Sequence, residues 1–436
     1  MTEQGTNNRL TMETPAVDSD TRRYQAFQRD GFAIVRDVVP PTQLSGLRDS
    51  VETLVARQRA RDPDWDTCAT PRTDLTQLID SQTLAPLEFA LHGNVLDTSA
   101  ELLTSPVAEV SLSALAVLCN PEFEPAQVPS SGQSWGTDPR NWHRDVRPDH
   151  DGPLAAILAD EEANGPGYVQ WNVALYDDAI LYVVPGSHRR LTTDAEAAQL
   201  RRDGGTQSPL VDNVCVRLAP GDGVVYNSVL LHWGSKYVSH LKRRTLQLGV
   251  RSFGRILPHQ RACRLRERVR DLFPVGSARR GLAEKSLTLL ENEFQVIESV
   301  YRSVVDQDTE RFRAGLTRLH PKSKGRLSCL IVLTKLAVSL FAVRPPEEAV
   351  GHLDDGGQDA DFDHRLCVGL TSRFTAAEGE QLRRRFEAFD THLRTGDAQH
   401  VSGFLGPPTD YLFERLPAAM TVEGAESVLF GSTTSV

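Results

Sequence analysis

The hydrophobic and polar positions divide the chain into three parts. Residues 1–20 are polar with few bulky apolar side chains, a composition typical of a disordered tail. A short helix at 24–29 and a strand at 31–35 are expected next. Apolar residues three or four positions apart then predict helices at 42–61 and 86–103. The first part is therefore expected to be helical around one strand.

From 107 to 255 the pattern changes to short apolar runs separated by Pro, Gly and Asp. Many short strands with such turns are typical of a β-sandwich or jelly roll. The segment 147–167 is rich in Gly, Pro and acidic residues and is expected to be a long loop, often a lid in compact domains. The predicted strands are 107–118, 168–176, 180–184, 213–218, 224–226 and 244–253.

After about residue 258 the apolar spacing is helical again. Thr375 and Glu378 form a capping-box pattern at the start of the last predicted helix. An acidic loop rich in Pro and Gly is expected at 344–364. The predicted helices are 278–305, 307–319, 326–343 and 375–395. We therefore predict an α+β protein with a disordered tail at 1–20, a domain at 21–257 and a helical C-terminal extension at 258–436.

Composition excludes several classes of function. The formal net charge is -10 and no basic block stands out, so nucleic-acid binding is not expected. The longest apolar run, 327–343, is interrupted by Lys335 and is too short for a membrane span. The N-terminus lacks the apolar stretch of a signal peptide. The six cysteines are scattered, which argues against a disulfide framework. We expect a cytoplasmic protein with no nucleic-acid or membrane partner.

The candidate chemistry begins at His143 and Asp145, which share one face if they lie on a strand. His232, at the end of an apolar run, is the second candidate histidine. Two histidines and one carboxylate on one side of a metal are the facial triad of non-haem Fe(II) oxygenases. Arg243 or Arg244 could then bind the far carboxylate of a 2-oxo acid, and strand alternation allows only one of them to point inward.

Five motifs in order resemble those of the phytanoyl-CoA dioxygenase family of Fe(II)/2-oxoglutarate oxygenases. They are Asp30–Val38, Trp142–Asp145, Val183–His188, Leu218–Asp222, and His232 with Gly234 followed by Arg243. The resemblance covers about 24–255. It implies a double-stranded β-helix, a jelly-roll or cupin-like core with N-terminal helices and the helical C-terminal extension.

The resemblance also implies a set of site residues and cofactors. Iron would be held by His143, Asp145 and His232, and 2-oxoglutarate and dioxygen would be cosubstrates. Arg243 has the spacing of the family's carboxylate-binding arginine. Thr245 shares the face of Arg243, and Gln170 and Asn172 share a strand face from which they could contact the cosubstrate. His188 would belong to a structural turn and would not bind the metal.

The chain differs from the family at two places. Asp177-Asp178-Ala179-Ile180 stands where the family usually has a Glu-Asn-Gly segment. The family also does not usually carry so long a helical tail, whose possible roles include a homodimer contact, a lid and a packing layer. Four arginines near the motifs could attract an anionic group, although surface charge is the simpler interpretation: Arg144, Arg147, Arg189 and Arg190.

The function expected from this resemblance is hydroxylation of an unactivated C–H bond of a small molecule. Asp145 favours hydroxylation over halogenation, because related halogenases lack this carboxylate so that halide can bind the iron. Desaturation, epoxidation and oxidative ring closure use the same cofactors and stay open. A catalytically silent jelly-roll scaffold is the alternative from another class.

Overall fold

The computed structural model describes residues 20–65, 71–120, 141–147, 151–202, 205–234, 242–254, 267–342, 370–399, 401–405, 408–417 and 420–431. Nearly all of the predicted tail at 1–20 and the whole predicted loop at 344–364 lie outside these residues. Within them the protein is a mixture of helices and antiparallel sheets, as the α+β prediction requires.

Short strands make up the central part of the chain. The strands are β1 (Phe32–Val35), β2 (Arg72–Asp74), β3 (Val110–Cys119), β4 (Tyr168–Ala174), β5 (Leu181–Val183), β6 (Val214–Cys215), β7 (Gly223–Asn227), β8 (His232–Gly234), β9 (Arg244–Ser252), β10 (Arg394–Gln399) and β11 (Thr409–Tyr411). A six-stranded antiparallel sheet has the order β1-β7-β4-β9-β3-β2, and a three-stranded sheet has the order β6-β5-β8. The strand predictions for this region are confirmed within a few residues at each end.

The two faces of the six-stranded sheet differ in chemistry because side chains alternate along each strand. Trp171 and Leu248 are opposite one another on β4 and β9 and lie in the core shared with the N-terminal helices. The other face carries Phe32 and Val224, which pack against the three-stranded sheet through residues such as Val183. This second face also carries the polar residues of the candidate site.

In the sequence, helices precede and follow the strands of the two sheets. The N-terminal helices are Asp20–Asp30, Pro41–Arg61, Ala85–Ala90 and Gly93–Leu102, with Leu154–Asn164 and Asp194–Leu200 inserted between strands. The C-terminal helices are Glu267–Arg270, Ala278–Asp306, Thr309–Leu319, Arg326–Ala342, Ala376–Asp390 and Val422–Phe430. The described helices include none that is long and apolar enough to cross a membrane.

The predicted loop at 147–167 is wrong over most of its length. A helix spans Leu154–Asn164, beginning directly after Pro153 and ending at Gly165, whose φ is 74°. Proline before a helix and glycine with positive φ after it are ordinary boundary residues. Together with Pro148, Gly152, Pro166 and Gly167 they gave the segment the composition of a loop. The predicted helix at 86–103 is also two helices, because the His92 side chain accepts a hydrogen bond from the Asn94 N–H and starts the second one.

The C-terminal helices enclose a second apolar core. Leu330, Ile331 and Phe386 are fully buried in it, and the Thr375–Glu378 capping box forms as predicted. Val146 and Leu154, which follow the His-x-Asp pair, belong to this same core. The C-terminal part therefore packs directly against the segment that carries the candidate metal ligands.

Candidate metal centre

The backbone brings the two candidate histidines together. His143 pairs with His232 at the start of β8 through reciprocal N–H···O bonds, each 2.9 Å long. Asp145 donates its N–H to the carbonyl of Ser228 at 2.8 Å. Because residues two apart on an extended segment share a face, His143 and Asp145 both point toward His232.

The side chains form a compact cluster of potential metal ligands. Their ligand atoms all lie within 4.8 Å of one another, and all three residues are buried. The Asp145 Oδ1 is 3.4 Å from the His143 Nε2 and 3.7 Å from the His232 Nε2. Two imidazole nitrogens therefore surround one carboxylate oxygen.

Hydrogen bonds fix which ring nitrogens are available. The His143 Nδ1 is 2.7 Å from the Asn141 carbonyl, and the His232 Nδ1 is 2.8 Å from the Leu230 carbonyl. A carbonyl only accepts, so each Nδ1 carries a proton, and in the neutral ring the Nε2 then presents a lone pair. Burial, with His143 nearby, also lowers the pKa of His232 to about 4, which keeps this imidazole neutral. Neutral imidazoles oriented by backbone carbonyls are the usual form of metal-binding histidines.

The charge and donor types fit a divalent transition metal. Two neutral imidazoles and one carboxylate offer lone pairs on nitrogen and oxygen, the set used by non-haem Fe(II) sites. Without a cation, three acceptor atoms would face one another in a buried space, which is electrostatically unfavourable. The cluster therefore fits Fe(II) in both chemistry and arrangement.

Arg144 lies between the two ligands in sequence and points away from them. Its side chain is fully buried and donates to the carbonyls of Ser187, Val229 and Arg190. Burial lowers the pKa of this guanidinium to about 10. The idea that Arg144 attracts an anion at the pocket mouth is therefore wrong, since its donors hold the backbone that surrounds the site. Arg190 is likewise engaged by Glu196 at 2.7 Å.

Arg243 and Arg244 have different partners on opposite faces. The Arg243 Nε donates to the Asp178 Oδ2 at 2.8 Å, and Thr245 donates its hydroxyl to the same oxygen. Arg244 instead reaches Glu52 at 3.1 Å on the face of the N-terminal helices. Arg243 and Thr245 thus lie on the polar face, as strand alternation predicts.

Asp178 is the functional candidate that sequence reasoning missed. Burial would raise the pKa of its carboxyl, but the charge of Arg243 and hydrogen bonds from Thr245, Arg243 and the Ile180 N–H hold it below the usual range. Its backbone is paired with Leu218, so the carboxylate is fixed in place. The sequence feature that could have indicated a role for Asp178 is its position in the segment where the chain differs from the family.

Gln170 and Asn172 lie on the same polar face of β4. Asn172 is opposite Gln247 on β9, and Gln170 is opposite Tyr226 on β7. The Gln170 amide donates to the Tyr226 hydroxyl, and the Tyr226 ring lies 5.1 Å from that of His232. Among the described residues, no donor forms a hydrogen bond to the buried Asn172 Oδ1. Gln170 therefore supports a ligand histidine indirectly, while Asn172 has capacity for another partner.

His188 is held in a tight turn away from the triad. Its Nε2 is 3.2 Å from the Gln28 carbonyl, and a side chain at Gly31 would collide with its ring. Burial lowers the pKa of His188 to about 4. Its place in the turn agrees with the structural role expected for it.

Comparison with known proteins assigns the chain to a family. The model of the phytanoyl-CoA dioxygenase (PhyH) family matches residues 27–245, half of the chain. The protein belongs to this family, whose members use Fe(II), 2-oxoglutarate and dioxygen. A search of curated proteins finds no match.

Several solved structures are similar to part of the chain. AviO1 from Streptomyces viridochromogenes Tue57 is 23% identical, with 55% of this chain and 97% of that chain covered and a TM-score of 0.38. HygX from Streptomyces hygroscopicus, with nickel and 2-oxoglutarate bound, is 17% identical over 53% and 86% of the two chains, with a TM-score of 0.38. EctD from S. alaskensis, with 2-oxoglutarate and 5-hydroxyectoine, is 18% identical over 56% and 80%, with a TM-score of 0.36. The assignment to the family rests on the family match.

Proposed function

We propose that the protein is an Fe(II)/2-oxoglutarate-dependent dioxygenase that hydroxylates an unactivated C–H bond of a small molecule. The observation that carries the proposal is the convergence of His143, Asp145 and His232 within 4.8 Å, with each histidine Nδ1 bonded to a backbone carbonyl and each Nε2 directed toward the Asp145 carboxylate. When bound, Fe(II), 2-oxoglutarate and dioxygen together supply the oxidising chemistry. The double-stranded β-helix and the domain limits 21–257 and 258–436 are part of the same proposal.

Arg243 is proposed to bind the distal carboxylate of 2-oxoglutarate. Its guanidinium is buried on the polar face and anchored through Nε by Asp178, which orients the rest of the fork. Arginine binds a carboxylate through two parallel N–H donors, so a fixed fork favours this contact. Thr245 would act beside it through Asp178, and Asn172 is the amide best placed for a direct contact.

Hydroxylation is the favoured reaction because Asp145 completes the ligand set. Desaturation and ring closure by the same cofactors remove two hydrogens, whereas hydroxylation adds one oxygen, so the mass of the product separates these outcomes. Epoxidation of an alkene also adds one oxygen, and loss of the alkene from the product distinguishes it from hydroxylation. Cytoplasmic location and a homodimer through the C-terminal helices stay predictions.

The first test measures cofactor binding without oxygen. We expect that Fe(II) and 2-oxoglutarate, added to metal-free protein, give the visible charge-transfer absorption of a chelated 2-oxo acid. His143→Ala should remove the band, and Arg243→Ala should shift its appearance to at least about tenfold higher 2-oxoglutarate concentration. Arg244→Ala is the matched control, because its side chain points to the opposite face.

The outcomes separate the competing functions. A band that depends on His143 and Arg243 but not on Arg244 supports the oxygenase. Absence of the band in folded wild-type protein would overturn the proposal in favour of a silent scaffold. A band in Arg243→Ala with unchanged concentration dependence would keep the metal centre and reject the arginine assignment.

A further inference from the structure

We propose that residues 403–405 of the C-terminal part form the second neighbour of the extended segment 143–146, called here the ligand strand, and set the position of Asp145. This segment lies outside the part matched by the family, which ends at residue 245. The inference rests on the proposed metal centre but concerns residues that the family assignment does not include. It gives the C-terminal part a positioning role for the reaction.

The hydrogen bonds of the ligand strand alternate between two neighbours. The N–H groups of His143 and Asp145 bond to the carbonyls of His232 and Ser228 on one side. On the other side, the Arg144 N–H bonds to the Gly403 carbonyl at 2.9 Å, and the Leu405 N–H bonds to the Val146 carbonyl at 3.0 Å. Arg144 also pairs with Phe404 as a parallel β-bridge. The strand that carries two ligands is therefore central, with both edges occupied.

Apolar contacts hold the segment in register. Phe404 is 3% exposed, and its ring meets the Phe413 ring edge to face at 4.5 Å. Both rings lie in the same core as Val146, the residue after Asp145. Gly403 has a φ of 84°, and a side chain there would approach Leu200 at 3.0 Å. The turn into the segment is thus specific in both conformation and packing.

A second attachment lies shortly after the ligand strand. The Leu154 N–H donates to the Phe413 carbonyl at 2.5 Å, and the Ala155 N–H donates to the Glu414 carbonyl at 3.2 Å. The stretch that follows Asp145 is therefore bonded to the C-terminal part at its start, through Val146, and at its end, through Leu154 and Ala155. Asp145 lies between Arg144 and Val146, whose backbone groups bond to Gly403 and Leu405, so the C-terminal part holds the backbone on both sides of this ligand.

The test removes one backbone N–H donor and leaves the three proposed metal ligands unchanged. Leu405→Pro deletes the N–H that bonds to Val146, whereas Leu405→Ala shortens the side chain and keeps this N–H. We expect Co(II), titrated into metal-free protein and followed by visible absorption, to bind Leu405→Pro about tenfold more weakly than wild type, the scale for losing an outer-shell partner. Leu405→Ala should bind within about twofold of wild type.

Leu272→Pro is the matched proline control. It deletes an N–H that bonds to the Val269 carbonyl at 3.3 Å in the C-terminal part, where Leu272 packs against the core of the N-terminal helices. We expect it to lower the melting temperature and leave Co(II) affinity unchanged. Equal Co(II) affinity in Leu405→Pro and wild type would overturn the inference, as would an equal loss in Leu272→Pro. Failure of wild type to bind Co(II) would instead overturn the proposed metal centre.

A measurement on the unaltered chain covers the case in which Leu405→Pro does not fold. Amide hydrogen exchange should show strong protection at Arg144, and this protection should be lost together with that of Leu405 as denaturant is added. Fast exchange at Arg144 in native protein would overturn the inference, because the Gly403 carbonyl would then not be its partner.

Discussion

Two buried polar clusters, one in each half of the molecule, deal with buried charge in different ways. In the sheet region, His143, Asp145 and His232 present lone pairs to a common point. In the C-terminal region, Asp390 is completely buried, with Lys335 at 3.7 Å and the Tyr411 hydroxyl at 3.0 Å. The first cluster consists of acceptors and requires a cation from outside the chain. The second contains its own cations.

The C-terminal cluster is balanced by its own members. Arg394 donates to both Asp390 and Asp410, and its guanidinium and the Lys335 ammonium both lie over the Tyr411 ring. Burial and the nearby Asp390 raise the pKa of Tyr411, so its hydroxyl stays protonated and donates to the carboxylate. Buried charge alone therefore does not identify a functional site. The informative feature is a set of ligand atoms that its neighbours cannot neutralise.

The largest effect that tests this contrast is expected at Asp390. Asp390→Asn leaves Lys335 buried without a negative charge, so we expect the free energy of unfolding to fall by about 3 kcal/mol. Affinity for Co(II) in the folded protein should stay unchanged. Chemical denaturation and metal titration of the same samples measure the two quantities.

His143→Ala is the counterpart in the sheet region. It should abolish tight metal binding and change the unfolding of the metal-free protein little, because it removes one of three mutually repelling acceptors. If Asp390→Asn weakened metal binding as much as His143→Ala does, the distinction between a metal-binding cluster and a cluster that neutralises its own charge would be wrong.

A smaller effect is expected at Asp178, the carboxylate that anchors Arg243. Asp178→Asn weakens the orientation of the guanidinium, so we expect the dissociation constant for 2-oxoglutarate to rise about tenfold, or about 1.4 kcal/mol. Anaerobic titration with Fe(II) present measures it. Asp222→Asn is the matched control, since Asp222 is equally buried but pairs with Arg36 at 2.6 Å. Tighter binding in Asp178→Asn would show that this carboxylate competes with the cosubstrate.

The smallest effect is expected at His188, a buried histidine outside the metal cluster. Its folded pKa of about 4 lies below the ordinary 6.5, mainly because of burial. As pH falls below about 6.5 the unfolded chain takes up a proton that the folded protein refuses, so stability is lost as pH falls toward 4. Between about pH 7.5 and about pH 5.5 this amounts to about 1 kcal/mol.

His188→Gln should remove this part of the pH dependence, since the Gln amide can donate to the Gln28 carbonyl as the imidazole does. Denaturant unfolding of both proteins at several pH values measures the difference. Parallel curves for the two proteins would contradict the assignment of a neutral buried imidazole at this position.

Local sequence patterns predicted the parts of the site that lie on single strands. Alternation placed His143 beside Asp145 and separated Arg243 from Arg244, because the period of two is a property of any strand. Strand positions were found where turn residues interrupt apolar runs. The helix Leu154–Asn164 was missed because its boundary residues, Pro153 and Gly165, also dominate loops.

Long-range partners could not be predicted in the same way. Asp178 reaches Arg243 across 65 positions, and Gly403 reaches Arg144 through a backbone carbonyl that any residue would offer. No local period encodes either pairing. The C-terminal core was predicted as helices, but its contact with Val146 depends on how the sheet and helices are arranged in space.

The central position of the ligand strand also bears on how this protein can be dissected. A fragment limited to residues 27–245 would lose the 403–405 segment and leave Arg144 and Val146 with open backbone groups on one side. An open strand edge is a template for pairing with other chains. The matched part alone is therefore expected to self-associate through the strand that contains His143 and Asp145. In the full chain, the C-terminal part covers this edge and is expected to prevent such aggregation.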